Sequence, residues 1–138
     1  MPRILAFDYG TKRTGIAVTD PLQIIATGLT VLHPKDVIAF LKKYMLTEAV
    51  ELFVVGEPKQ MDGSASQSAP AVNGFVRLLK KEFPQIPVKR IDERFTSKMA
   101  SSAIAQSGMR RERRQDKSLV DQVSATLILQ SYLESIAH

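Results

Sequence analysis

Three carboxylates stand where strands or helices are predicted to end or begin, and these positions suit chemistry. Asp8 follows an apolar run, Glu93 follows a shorter predicted strand, and Asp121 lies in the first turn of the predicted last helix. The carboxyl ends of parallel strands are where ligand clefts form in α/β sheets. If the last helix packs across that edge, we expect the three carboxylates to converge. An all-oxygen cluster of this kind suits Mg²⁺ or Mn²⁺.

Asp8 is the strongest of the three candidates. The preceding run, Ile4 to Phe7, is continuously apolar and is typical of a strand covered on both faces in the middle of a sheet. A charge at the end of such a strand is costly unless a metal ion or hydrogen-bond donors accompany it. The residues that follow it, as far as Gly15, form a polar and basic turn.

Asp121 also has a purely structural interpretation. It lies three residues after Ser118, so the two residues could form a capping box at the start of the last helix. Asp116 could cap the same helix. The sequence alone leaves capping and catalysis open for Asp121.

The other acidic candidates are more ambiguous. Glu93 could form a surface ion pair with Arg90 or Arg94. Glu57 and Asp62 follow another apolar strand, in a loop marked by glycine and proline, where turn formation is the simpler role. Either could still supply a further metal ligand.

Basic residues are concentrated beside the last helix. Nineteen Lys and Arg against fourteen Asp and Glu give a net charge of +5, which favours phosphate-rich partners. A basic run such as the one at 110–117 is often only a solvated loop, but this one immediately precedes the helix that bears Asp121. With the turn after Asp8, it supplies the candidate nucleic-acid-binding residues Lys12, Arg13, Arg94, Arg110, Arg111, Arg113, Arg114 and Lys117.

Composition excludes several other classes of site. The chain has no cysteine, so disulfides, thiolate metal sites and cysteine nucleophiles are excluded. Of the two histidines, His33 lies beside a proline and His138 is terminal, which gives a histidine mechanism poor support. The 138 residues fit one domain, and no stretch approaches the length of a membrane span. We therefore expect a single cytoplasmic domain, residues 1–138, without a membrane partner.

The apolar patterns predict an α/β fold that opens with a meander. The first two strands are separated by a short turn containing glycine and should pair as a hairpin. The strand at 52–55 is continuously apolar and belongs beside the first strand, whereas the more polar strand at 88–91 belongs at an edge. A further strand is predicted at 24–32, followed by a helix after Pro34 that uses Val37, Ile38, Leu41 and Met45. The next helix uses Ala71, Phe75, Leu78 and Leu79, and another runs from 96 or 97 to 106, before a basic loop at 109–115. The last helix is predicted at 118–136 and buries Leu119, Val123, Leu127 and Leu133.

Three ordered motifs carry a resemblance to a known family. They are the segment from Asp8 to Asp20, the segment Asp92-Glu93-Arg94-Phe95-Thr96-Ser97, and Asp121-Gln122 followed by Ala125 and Ile128-Leu129-Gln130, with Met61-Asp62-Gly63-Ser64 between them. Together they resemble the YqgF/RuvX family over nearly the whole chain. In that family the residue between the equivalents of Gly56 and Pro58 is commonly apolar, whereas this chain has Glu57.

The resemblance implies a fold and an activity. It implies a ribonuclease H-like fold, with a five-stranded mixed sheet of order 3-2-1-4-5 and helices on both faces. It implies a metal-dependent nuclease that matures the 5′ end of pre-16S ribosomal RNA, or a Holliday junction resolvase acting on branched DNA. Asp8, Glu93 and Asp121 would then be both the catalytic and the metal-binding residues of a two-metal Mg²⁺ or Mn²⁺ site. The partners would be nucleic acid and the ribosome or its precursor.

Two other functions compete with a nuclease. An ATPase related to actin and the sugar kinases also starts with an Asp-x-Gly-Thr loop after a central strand, but those proteins close the nucleotide between two such domains. A non-catalytic nucleic-acid-binding module is the other alternative. The presence of all three carboxylates argues against it.

Overall fold

A computed structural model describes residues 2–57, 69–92 and 117–136, with side chains in the last segment from Gln122 onward. Within these ranges a central sheet is flanked by helices. The elements are β1 (Arg3–Asp8), β2 (Thr14–Thr19), β3 (Ala26–Leu32), one turn of 3-10 helix (Pro34–Asp36), α1 (Val37–Tyr44), β4 (Val50–Glu57), α2 (Ala69–Glu82), β5 (Val88–Asp92) and α3 (Lys117–Ile136).

The sheet has the order β3-β2-β1-β4-β5, which is the expected ribonuclease H-like order. β1 pairs antiparallel with β2, so the predicted hairpin is confirmed. It pairs parallel with β4, and β4 pairs parallel with β5 at the edge, as predicted. The apolar run of β1 therefore lies at the centre of the sheet, with a hydrogen-bonded strand on each side.

Alternation along β1 divides the core between the two faces of the sheet. Leu5 and Phe7 pack in a cluster with α1 and α2. Ile4 and Ala6 pack on the other face in a cluster with α3. Because successive side chains of a strand point to opposite faces, Asp8 falls on the α3 face with Ile4 and Ala6.

Aromatic rings join the sheet to α2 on the first face. The ring of Phe7 lies 5.6 Å from that of Phe53 and 5.4 Å from that of Phe75, both edge to face. Phe53 also meets Phe83, just beyond α2, at 5.6 Å. Edge-to-face contacts of this kind stabilise a core beyond the area they bury. They fix α2 against the strand that carries Asp8.

Two helices bury different residues from those predicted. In α2, Leu79 is fully buried but Leu78 is 40% exposed. In α3, Ala125 and Ile128 are buried with Leu129, whereas Val123, Leu127 and Leu133 are only half-buried and Leu119 has no described side chain. The cause is the same in both helices, because apolar residues occupy neighbouring positions about 100° apart and periodicity alone cannot select between them.

β3 begins at Ala26, two residues later than predicted, because the Asp20 carboxylate organises the preceding turn. It accepts the backbone N–H groups of Leu22, Ile24 and Ile25 at 3.1, 2.8 and 2.7 Å. The bond from the Ile25 N–H is the main cause that lowers the pKa of Asp20. The ionised Asp20 carboxylate therefore stabilises the folded state above the ordinary pKa of an Asp side chain. This stabilisation is lost as pH falls through the lowered value.

The predicted helix from 96 or 97 to 106 and the basic loop at 109–115 lie outside the described residues. No helix in the described part of the chain is long and apolar enough to cross a membrane.

Leu79 and Leu78 provide a matched test of the core. Leu79→Ala should lower the free energy of unfolding by about 2–5 kcal/mol, since it empties a fully buried site. Leu78→Ala should cost about 1 kcal/mol or less, because the side chain is partly in water. Urea denaturation followed by circular dichroism measures both values. Equal losses for the two variants would contradict the observed orientation of α2.

Candidate active site

Asp8 ends β1 at the carboxyl edge of the sheet and is half-buried. Its register partner in β2 is Gly15. On the other side, Phe7 pairs with Val55 in β4, so Gly56 is the next residue along that strand. Asp8 thus has a glycine on both neighbouring strands. Glycine inside a strand often marks the close approach of a ligand or another backbone.

The turn after Asp8 is tightly closed. A Cβ atom added at Gly10 would lie 2.5 Å from the carbonyl oxygen of Arg13, so only glycine fits there. Tyr9 packs on the α1 and α2 face, where its ring stacks on Phe75 at 4.6 Å. In the same turn the Lys12 side chain is exposed and Arg13 is half-buried. The turn therefore holds two candidate phosphate-binding residues close to Asp8 in the chain.

α3 runs away from the edge at which Asp8 lies. Near its start, Gln122 packs against Gly28 of β3. Near its end, Gln130 and Leu133 line a cleft with Ala26, the first residue of β3, which is further than Gly28 from Leu32. Because Leu32 of β3 pairs with Thr14, next to Gly15, the start of α3 is directed toward the Asp8 edge.

Asp121 is described only in its backbone, which is helical and lies one turn before Ala125 in α3. Ala125 and Ile128 mark the part of α3 that faces the sheet. Ser118 is also helical, so it is not the N-cap that a capping box requires.

Of the two remaining acidic candidates near the strand ends, the structure describes Glu57. In β4, Leu52 and Val54 face α3, so alternation places Glu57 on the opposite face from Asp8. A role for Glu57 as a ligand beside Asp8 is therefore not supported. In β5, Ile91 packs on the α3 side. Glu93 is two residues further along the chain and lies outside the described residues.

Several predicted site residues lie beyond the part of the chain that the structure describes. Among the described residues, no three His, Cys, Asp or Glu side chains come together as a metal site. Only Asp8 of the three candidate ligands has a described side chain. The residues outside the described part are Asp62, Glu93, Arg94, Arg110, Arg111, Arg113 and Arg114, and Lys117 is described only in its backbone.

One contact near the site was not predicted. Gln122 lies against the backbone of Gly28, and neither residue was a candidate for function. The sequence contained a signal, since a glycine among Thr27, Leu29 and Thr30 is unfavourable in a strand unless something approaches it closely. The sequence could not identify the partner, because the two residues are far apart in the chain.

Comparisons with known proteins identify a family that the chain resembles over nearly its whole length. A family model described as "RuvX: Holliday junction resolvase" matches residues 2–135. The chain is 54% identical over 133 residues to a Flavobacterium psychrophilum protein named "Putative pre-16S rRNA nuclease", covering 96% of this chain and 97% of that protein. A protein of the same name from Flavobacterium johnsoniae is 55% identical over 135 residues, covering 98% of each chain.

The fold has a counterpart among solved structures. The structure described as T. thermophilus RuvC in complex with Holliday junction substrate superposes with a TM-score of 0.56. The match covers 99% of this chain and 97% of that chain at 15% sequence identity. At that identity the likeness shows a shared fold and no more.

Replacing Gly10 tests the turn that follows Asp8. Gly10→Ala should lower the free energy of unfolding by about 1–3 kcal/mol, because the new methyl group meets a backbone carbonyl that cannot move independently. Gly74→Ala in α2 is the control, since a Cβ there meets only Arg77 Nη2 at 3.9 Å. The control should stabilise by about 0.5–1 kcal/mol, as expected for a helical glycine. Thermal melts compare the two variants, and a neutral Gly10→Ala would contradict the tight turn.

Proposed function

The chain belongs to the RuvX family, and on that premise we propose that it is a divalent-metal-dependent nuclease that matures the 5′ end of pre-16S ribosomal RNA. The observation that carries this proposal is the position of Asp8, a carboxylate at the carboxyl edge of a buried central strand with glycine on both neighbouring strands. Phosphodiester hydrolysis is the activity in the names of the relatives that match over nearly their whole length.

The residues at this edge fit a hard divalent cation. Their donors are carboxylate oxygens, which Mg²⁺ and Mn²⁺ prefer, and the residues beside Asp8 on the neighbouring strands are glycines without side chains. Asp8, Glu93 and Asp121 would hold the metals. When bound, a pair of such ions activates a water molecule and stabilises the leaving oxygen of the phosphodiester.

Within this proposal each carboxylate has a position that supports its role. Asp8 would be the central ligand, because it extends from the central strand of the sheet. The backbone of Asp121 is one turn before Ala125, a sheet-packed residue of α3, near the end of the helix that points to the Asp8 edge. Glu93 directly follows the last residue of β5. All three would then approach one site from the same face of the sheet.

The basic residues would bind the phosphate backbone of the substrate. Lys12 and Arg13 belong to the turn that directly follows Asp8. Arg94 and the cluster 110–117 lie near Glu93 and Asp121 in the chain. Contacts to phosphates position a nucleic acid without reading its bases, so sequence preference should be modest and RNA structure should guide cleavage.

A second candidate function is resolution of Holliday junctions. The description of the family model favours it. Symmetric cutting of a four-way junction requires two active sites related by a two-fold axis, and therefore a dimer of this chain.

For the RNA function we take residues 1–138 as one catalytic domain that works in the cytoplasm on the ribosome precursor.

Neutralising Asp8 tests the catalytic proposal. Asp8→Asn should slow cleavage of a pre-16S 5′ leader RNA in Mg²⁺ or Mn²⁺ by at least about 100-fold, a loss typical of removing one group that stabilises the transition state. Glu93→Gln and Asp121→Asn should behave alike. Glu51→Gln is the control, because it removes an exposed carboxylate from the start of β4, at the opposite edge of the sheet.

The same assay separates the competing functions. A four-way DNA junction offered in parallel, with the protein's mass in solution measured, tests the resolvase. Full RNA affinity in all three carboxylate variants, with no cleavage by the wild type, would indicate a non-catalytic binding module. Tight binding of ATP with a thermal shift would favour the ATPase. Equal cleavage by Asp8→Asn and the wild type would overturn the proposed mechanism.

Removing charge from the basic cluster tests substrate binding. Changing Arg113 and Arg114 together to Gln should weaken RNA binding and raise KM while kcat changes little. The slope of log K against log salt should fall by about 0.7 for each phosphate of single-stranded RNA that the variant no longer neutralises. Arg77→Gln with Lys80→Gln, on the exposed side of α2, removes the same charge as a control. If both double variants bind alike at every salt concentration, net charge alone is responsible.

A further inference from the structure

We propose that Gln122 is a positioning residue, seated on Gly28, that fixes the start of α3, and with it the backbone of Asp121, relative to β3. The inference rests on the proposed function and deepens it by naming the contact that would align one carboxylate with another. Its basis is the close packing between α3 and β3, close to the candidate site.

The contact is unusually tight. A Cβ atom at Gly28 would lie 2.6 Å from Cγ of Gln122 and 2.9 Å from both Cδ and Nε2. Real Cβ atoms essentially never show contacts below 3.0 Å. The side chain of Gln122 therefore occupies the space that any other residue at position 28 would need.

Space, not backbone conformation, explains the glycine at this position. The φ angle of Gly28 lies outside the left-handed region that favours glycine. Its neighbours in β3 are Thr27 and Leu29, which suit a strand. A glycine in this setting weakens the strand through its extra conformational entropy. The gain that offsets this cost is the seat for Gln122.

Gly28, on which Gln122 is seated, is close to Asp8 in the strand direction. Gly28 pairs with Ala17, and Ala17 pairs with Ala6 of β1. Asp8 is two residues further along β1, which is about 7 Å in the strand direction. The register of β3 also shifts here, between Ile16 and Ala17 of its partner strand, so the seat is beside a local irregularity.

Gln122 is also held on its own helix. Its backbone carbonyl oxygen accepts a hydrogen bond from Oγ1 of Thr126, one turn later, at 3.0 Å. Asp121 precedes Gln122 directly, so a displacement of Gln122 along or away from β3 carries Asp121 with it. Gln122 directly follows the proposed ligand Asp121 and is the first residue of α3 with a described side chain. It is therefore well placed to set the position of Asp121.

A double-variant cycle tests the seat. Gly28→Ala should weaken Mn²⁺ binding, measured by isothermal titration without RNA, by about 10-fold or more, as expected when a group that orients a metal ligand is disturbed. It should lower kcat for the leader RNA with little change in KM. Adding Gln122→Ala to Gly28→Ala removes the clash, so the double variant should bind Mn²⁺ more tightly than Gly28→Ala, at about the affinity of Gln122→Ala alone.

Three further proteins complete the experiment. Gln122→Met keeps an unbranched side chain of similar volume on Gly28 and should bind Mn²⁺ like the wild type, whereas Gln122→Ala alone should bind more weakly. Gly74→Ala controls for adding a methyl group to a glycine elsewhere. Thermal melts accompany each titration, and if Gly28→Ala does not fold, the comparison of Gln122→Met with Gln122→Ala decides the question.

Each result has a definite meaning. Wild-type Mn²⁺ affinity in Gly28→Ala, or a loss that Gln122→Ala does not relieve, would overturn the positioning role while the proposed function stands. Equal affinity in Gln122→Met and Gln122→Ala would do the same. If the wild type and Asp8→Asn bind Mn²⁺ equally, the proposed function itself fails and the positioning role fails with it.

Discussion

Burial of β1 on both of its faces is the constraint on which the rest of the structure depends. Its central residues, Ile4 to Phe7, are almost completely removed from water. Strands β2 and β4 satisfy the backbone hydrogen-bonding groups on its two sides, and helices cover both faces. A slip of one residue would exchange the faces of every side chain. The register that buries Phe7 against α2 is therefore also what turns Asp8 toward α3.

At the carboxyl edge of the sheet, glycines stand where larger side chains could have packed. Gly10, Gly15 and Gly56 surround Asp8 along the chain or across the strands, and each lacks a side chain that could contribute to the core. The aromatic cluster on the opposite face lies just beneath this edge and supplies rigid packing. The carboxylate is thus carried by a firmly packed strand, and its neighbours on the adjoining strands add no side chain beside it.

The opposite edge is organised differently, because its polar groups are used to hold the fold. Arg3 donates from Nε to Glu48 at 3.2 Å and from Nη1 to the carbonyl oxygen of Thr19 at 3.0 Å. The hydroxyl of Thr19 accepts the backbone N–H of Ile4 at 3.0 Å. Together with the turn built on Asp20, these bonds tie the hairpin to the start of β1. The Asp8 edge is thereby left as the one suited to chemistry among the described parts of the chain.

The sequence by itself determined the central strands, the hairpin, the edge position of β5 and the place of Asp8 at the end of a buried strand, because these follow from local signals. A continuous apolar run, a short turn with glycine and a charge at the end of a buried strand can each be recognised within a few residues. The motifs around Asp8, Glu93 and Asp121 added the family and the order of the sheet.

Only the tertiary structure decided which of several apolar residues each helix buries, where β3 begins, and which acidic residues share a face. Leu78 and Leu79 are chemically identical, and the packing of α2 against Phe7 and Phe53 determines which one is buried. Glu57 and Asp8 end neighbouring strands, and only the pairing register shows that they point to opposite faces. The seat of Gln122 on Gly28 joins residues far apart in the chain, and no local pattern records a contact that exists only after the helix has packed on the sheet.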